Sequence, residues 1–170
     1  MDNERDEITA SLTSTYTVLI PYNNDMISNG RDILYRTTKD QNILNLIDQD
    51  IALSLENPSH FKSKEAIVIT FNDIQLYDYP NTLFKYQAVI ASDYKNTFTI
   101  LNYERMDKEG FANIGFADPP ACKKSRTFNI DRKRLTTSSN VGRQGKFVYL
   151  LSVPIDCRNE GGRSLSRSSG

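Results

Sequence analysis

The sequence predicts an α+β fold, mostly antiparallel β-sheet with one early α-helix at about residues 38–56. Three observations lead there. A single segment carries an apolar stripe at three- and four-residue spacing, made of Ile43, Leu44, Ile47, Ile51 and Leu55. Most other apolar residues fall in short runs that alternate with polar ones or are rich in β-branched side chains. Two alternating runs, Phe84–Ala91 and Thr97–Tyr103, are joined by the polar stretch Ser92-Asp93-Tyr94-Lys95-Asn96, which is a β-hairpin signature.

Taken in order, residues 1–14 are polar and rich in Ser, Thr, Asp and Glu, and are expected to be disordered. Tyr16–Ile20 and Ile33–Thr37 read as strands around a turn-rich stretch, Tyr22–Gly30. Thr38 followed by Gln41 forms a capping-box pattern, and Asp40 adds negative charge to the first helical turn. Asn57-Pro58 ends the helix, because a residue before proline is pushed out of the α region. Ala66–Phe71 is a β-branched apolar run suited to the centre of a sheet. In the hairpin, Phe84, Tyr86, Ala88 and Ile90 alternate with Lys85, Gln87, Val89 and Ala91, and Phe98 and Ile100 alternate with Thr97 and Thr99. Ala112–Phe116, Thr127–Ile130 and Phe147–Val153 are further short strands, and residues 156–170 form a Gly/Ser/Arg tail expected to be disordered. One domain over residues 15–155 accounts for the remainder.

The composition narrows the function. The chain has 170 residues, 21 Lys+Arg against 21 Asp+Glu, 38% hydrophobic residues and 10% aromatics. That is enough for one domain with a real core. Zero net charge argues against whole-surface attraction to nucleic acid. No apolar run approaches the length of a membrane span, and the acidic start Asp2–Glu7 lacks the apolar core of a signal peptide. His60 is the single histidine, and no nucleophile motif accompanies it, so it reads as a surface loop residue. Asp48, Asp50, Asp73 and Asp78 have no calcium-loop spacing and read as solvated carboxylates. Gly142 and Gly145 lack the Gly-Lys-Ser/Thr ending of a phosphate loop and read as a turn into the Phe147 strand. The expectation is therefore a protein with no catalytic residues, no metal site and no cofactor.

Two features remain as candidate sites. Lys123, Lys124 and Arg126, with Arg132, Lys133 and Arg134, form a basic cluster. In an extended chain Lys124, Arg126, Arg132 and Arg134 share one parity around Phe128 and Ile130, a row suited to a sulfated glycan or another polyanion. The same residues also serve as charges that keep an apolar strand soluble. Cys122 and Cys157 are too few for a disulfide-dense scaffold or a cysteine-based zinc site. Three states are open to them: a mutual disulfide, which would add about 2–4 kcal/mol, pairing with a neighbouring module, or two free thiols.

Four blocks along the chain carry a family resemblance. Gly30-Arg31-Asp32-Ile33-Leu34-Tyr35-Arg36-Thr37-Thr38-Lys39-Asp40, followed by Leu44, is the first. Ala66-Ile67-Val68-Ile69-Thr70-Phe71-Asn72-Asp73-Ile74 is the second, with Phe71 where the family usually has tryptophan. The third is Asn81–Asp93 continued by Phe98–Tyr103, and the fourth is Ser139-Asn140-Val141-Gly142-Arg143-Gln144-Gly145-Lys146-Phe147-Val148-Tyr149. In this order, over about residues 17–152, they resemble the extracellular NIDO domain, the nidogen and alpha-tectorin family. The family usually begins with further strands carrying Phe-Phe-Gly and Val-Asn-x-Asn-Gly stretches, which have no counterpart in the chain. The resemblance thus implies a domain truncated at its N-terminus, with a sheet edge left uncovered. It further implies a non-catalytic extracellular or cell-surface module of a larger parent protein. Its role would be cell–matrix adhesion, with matrix or cell-surface proteins as partners. A carbohydrate- or sulfated-glycan-binding β-module is the alternative, using the basic row or exposed tyrosines such as Tyr77 and Tyr79.

Overall fold

The computed structural model describes residues 18–23, 26–27, 33–55, 60–77, 79–117 and 126–151. In chain order the elements are β1 (Val18–Asn23), β2 (Met26–Ile27), β3 (Ile33–Thr38), α1 (Gln41–Ala52), β4 (Glu65–Leu76) and β5 (Tyr79–Ser92). They continue with β6 (Thr97–Met106), β7 (Phe111–Ala117), β8 (Arg126–Asp131), the short helix α2 (Arg132–Leu135) and β9 (Lys146–Leu150). A six-stranded sheet runs β2-β4-β5-β6-β9, with β3 also paired to β4, and a three-stranded sheet runs β1-β7-β8. Every pairing is antiparallel, as expected of an α+β chain dominated by β-structure.

The large sheet lies between two cores. On one face α1 lays Leu44, Ile47 and Ile51 over Ala66, Val68, Val89, Ala91, Phe98, Ile100 and Val148. On the other face Phe84, Tyr86, Ala88, Leu101, Tyr103, Phe147 and Tyr149 meet Ala112, Ile114 and Phe116 of the small sheet. Consecutive residues such as Ala88 and Val89, or Ile100 and Leu101, thus enter different cores because side chains alternate along a strand. Each fully buried aliphatic or aromatic side chain contributes about 1.5–3 kcal/mol.

The helix is shorter than the stripe suggested. Thr38 is held in β3 opposite Ala66, so the chain must leave the sheet before it can turn helical. Asp40 is therefore the N-cap, its carboxylate accepting from the Asn42 N–H at 2.8 Å, while the Thr38 hydroxyl accepts from the Asp40 N–H at 3.1 Å. At the other end the Leu53 N–H bonds to the Asp50 and Ile51 carbonyls. Asn57-Pro58 lies outside the described residues.

Strand β4 is twice as long as its apolar run because it continues through a bulge. The register shifts between Phe71 and Ile74, where Asp73 sits at φ 54°. Short polar side chains tolerate this left-handed conformation. The extra residue reverses the alternation, so Phe71, Ile74 and Leu76 all lie on the small-sheet side of β4. Met26–Ile27 pairs with Gln75 and Leu76 inside the stretch read as turns, a pairing set by β4 rather than by local pattern.

Candidate interaction surface

Strand β3 follows from its own composition, with β-branched Ile33, Thr37 and Thr38 around Tyr35. It pairs with β4 over six unbroken positions, from Ile33 opposite Phe71 to Thr38 opposite Ala66. Its other edge is free: among the described residues no strand or side chain bonds to its outward backbone. Five of its six residues are exposed, including Ile33 at 40%, Leu34 at 58% and Tyr35 at 80%. Ile33 and Tyr35 share a face with Ile67, 40% exposed, and half-buried Ile69, because register partners share a face. This apolar shelf lies beyond the region that the small sheet covers.

The opposite edge, β9, is closed by the chain itself. Val148 donates its N–H to Asn140 Oδ1 at 2.9 Å, and Asn140 Nδ2 donates to the Val148 carbonyl at 2.8 Å. Ser139 Oγ donates to the Lys146 carbonyl at 2.7 Å and accepts from the Val141 and Arg143 N–H groups. Asn140 thereby reproduces with one amide what a neighbouring strand would supply. Gly145 makes the turn possible: at φ 73° it brings its backbone so near β6 that a Cβ would lie 2.5 Å from the Tyr103 carbonyl oxygen. The Tyr103 N–H donates to the Gly145 carbonyl at 2.7 Å. Asp50 of α1 anchors the same loop through Arg143 Nη1 at 3.1 Å and through the Lys146 ammonium. Gly142 and Gly145 do form the turn into the Phe147 strand.

Where β3 meets the β5–β6 hairpin the shelf deepens into an open cavity of about 550 Å³. Register stacks its lining in rows, Thr37–Ile67–Ile90 and Glu65–Ser92–Thr97. Tyr94 stands at the rim, its hydroxyl donating to Glu65 Oε2 at 3.4 Å, and Lys39 lies 3.4 Å from the same carboxylate oxygen. Tyr94 and then Glu65 push the Lys39 ammonium above its ordinary range. Tyr94 holds φ 71°, a strained conformation for a bulky residue. The turn imposes it: Ser92 Oγ accepts from the Tyr94 N–H, and Asp93 Oδ1 accepts from the Lys95 and Asn96 N–H groups at 2.8 and 2.6 Å. Burial pushes the Asp93 carboxyl up, but the bonds from Asn96 and Lys95 outweigh it and hold it below its ordinary value.

Of the sequence-derived candidates, the described ones line neither the β3 shelf nor the cavity. Cys122, Cys157, Lys123 and Lys124 lie outside the described residues, as does the side chain of Arg126. The extended row stops at Asp131, which caps α2, so Arg132 and Arg134 stand on a helical turn rather than on the strand. Arg132 donates from Nη1 to the Glu109 carbonyl at 2.9 Å and lies 5.9 Å over the Tyr22 ring. Lys133 pairs with the Glu109 carboxylate, a contact that raises the Lys133 pKa and lowers that of Glu109. Arg134 is exposed. His60 and Tyr77 are also exposed, and Tyr79's side chain lies outside the described set.

Two carboxylates expected in solvent are not there. Asp48, 6% exposed, accepts from the Ser63 N–H and hydroxyl at 2.9 and 2.6 Å and tethers the β4 approach to α1. Asp50 is the anchor of the β9 loop. Asp73 pairs with Arg105 at 2.9 Å, and Asp78 lies outside the described residues. Among the described residues no three His, Cys, Asp or Glu side chains converge as metal ligands, and no helix is long and apolar enough to cross a membrane.

A family model described as nidogen-like domain matches residues 4–152. The match begins upstream of the first resembling block and ends just after β9. No curated protein matches the chain, and no solved structure matches it.

Proposed function

Because the chain belongs to the nidogen-like domain family, a non-enzymatic, extracellular-type module family, we propose that it serves as an interaction module of a matrix or cell-surface protein in cell–matrix adhesion. The observation that supports this reading is the exposed apolar shelf of Ile33, Tyr35 and Ile67 on the large sheet. Contiguous exposed apolar surface beside an open edge suits a protein partner. The test is cell attachment to the immobilised full chain. Attachment to wild type that is lost in Ile67→Asp, with circular dichroism unchanged, supports adhesion through the shelf. Attachment indistinguishable from an uncoated surface overturns the adhesion reading.

The cavity favours a second reading, binding of a neutral carbohydrate. Threonine and serine hydroxyls, an internally neutralised Lys39–Glu65 pair and an exposed tyrosine offer hydrogen bonds and a stacking face. A glycan-array signal lost in Tyr94→Ala would favour it over adhesion to protein. The sulfated-glycan alternative rests on Lys123, Lys124, Arg126, Arg132, Lys133 and Arg134. It predicts heparin retention at physiological salt that is lost in Lys124→Ala/Arg126→Ala. The Cys122–Cys157 disulfide belongs to the same extracellular reading, and thiol counting by mass spectrometry on secreted material tests it.

A further inference from the structure

An open strand edge presents a row of N–H and C=O groups whose natural complement is another strand. β3 lacks the usual guards: it contains no proline, its register with β4 is unbroken, and among the described residues no side chain plugs it as Asn140 plugs β9. Its only charge is Arg36. We propose that β3 pairs antiparallel with β3 of a second copy of this chain, about a two-fold axis through Tyr35, joining the two six-stranded sheets edge to edge.

The register follows from parity and charge. In a two-fold pairing that continues the sheet, opposite residues must point to the same face, so the axis passes through a residue and not between two. An axis through Arg36 would set two guanidinium groups directly opposite, which is destabilising. An axis through Tyr35 sets Tyr35 against the partner's Tyr35, and Ile33 against the partner's Thr37. On the other face Leu34 meets the methylene stem of the partner's Arg36. Aromatic and β-branched cross-strand pairs of this kind stabilise a sheet. β3 thus carries its own complement, which is what selects a second copy over an unrelated strand. The two shelves would lie side by side and form one continuous apolar surface.

The inference is independent of the adhesion reading, since it is read by mass and adhesion by attachment. The full chain is examined by light scattering from about 1 to 100 µM, where modest interfaces populate dimers. A gel without reductant sets aside disulfide-linked species. Wild type is expected to reach the mass of a dimer. Tyr35→Lys and Tyr35→Glu, each repelling its own copy at the axis, should each weaken association by about tenfold or more. An equimolar mixture of the two variants should restore the dimer, because only a two-fold register through position 35 places Lys against Glu. Circular dichroism checks that both variants fold. A wild-type chain that remains monomeric, or a mixture that remains as weak as its components, overturns the proposal. Slow hydrogen exchange of the outward-facing β3 amides, those not bonded to β4, in a monomer overturns it as well, because another segment would then occupy the edge.

Discussion

At β9 the outward backbone of Lys146 and Val148 is met by Ser139 and Asn140, on a loop held to α1 by Asp50. At β3, on the far side of the same sheet, a run of equal regularity meets no hydrogen-bonding neighbour on its outward side among the described residues, and Tyr35 stands 80% exposed. Both are edge strands with similar β-forming composition. Their flanking segments differ: β9 emerges from a loop shaped to return a side-chain amide to its own edge, whereas β3 runs straight toward Asp40 and the helix. A sheet edge is therefore closed by a neighbouring loop's geometry, not by the strand's own sequence.

The sharpest way to break this comparison is Gly145→Ala. The new methyl would meet the Tyr103 carbonyl at a φ that L residues resist, and β6 backbone cannot easily yield. Stability should fall by about 2–4 kcal/mol in urea unfolding. A loss under about 0.5 kcal/mol would mean that the loop can be displaced without cost to the fold. Asn140→Ala comes next, at about 1–2 kcal/mol for two part-buried hydrogen bonds. Hydrogen exchange at the Val148 amide should accelerate, and Asn140→Asp should keep that amide slower than Asn140→Ala does, because the acceptor remains. At the other edge, Leu34→Thr should change monomer stability by no more than about 0.5 kcal/mol, since an exposed edge side chain has little packing to lose. A cost as large as that of Asn140→Ala would erase the distinction between the edges.

The smallest effect concerns the hairpin between the two edges. Asp93 has its folded pKa depressed by the Asn96 and Lys95 N–H groups. The folded state then binds that proton less readily than the unfolded state. Its stabilising contribution is present above the ordinary carboxylate range and is lost as pH falls through the folded value. The thermal midpoint should drop on acidification, and Asp93→Asn should remove part of that dependence. Because the turn joins β5 and β6, amide exchange at β3 and β9 should rise together.

The candidate surface was only partly legible in advance. Block resemblance placed Ile33–Thr38 and Ser139–Tyr149 among the segments that matter. The pattern did not reveal that Asn140 is a backbone mimic, because an asparagine in a Ser-Asn-Val-Gly turn looks like any turn residue until its partner strand is in place. Asp48 looked solvated because burial of a carboxylate depends on Ser63, fifteen residues away. The basic row failed as a geometry because Asp131 caps a helical turn at Arg132, and parity along a strand says nothing once the strand ends.

What the amino-acid sequence determined alone was local: the α+β class, the stripe that became α1, the β5–β6 hairpin and the family resemblance. The first three rest on spacing that repeats within a few residues and the last on four short blocks in order, and both survive without knowledge of neighbours. Tertiary structure decided the bulge that re-phases β4, the division of β5 and β6 between two cores, the plug on β9 and the bareness of β3. Those depend on which residues meet across long stretches of chain. Hydrogen bonds and excluded volume between distant segments set them, and no local period encodes either.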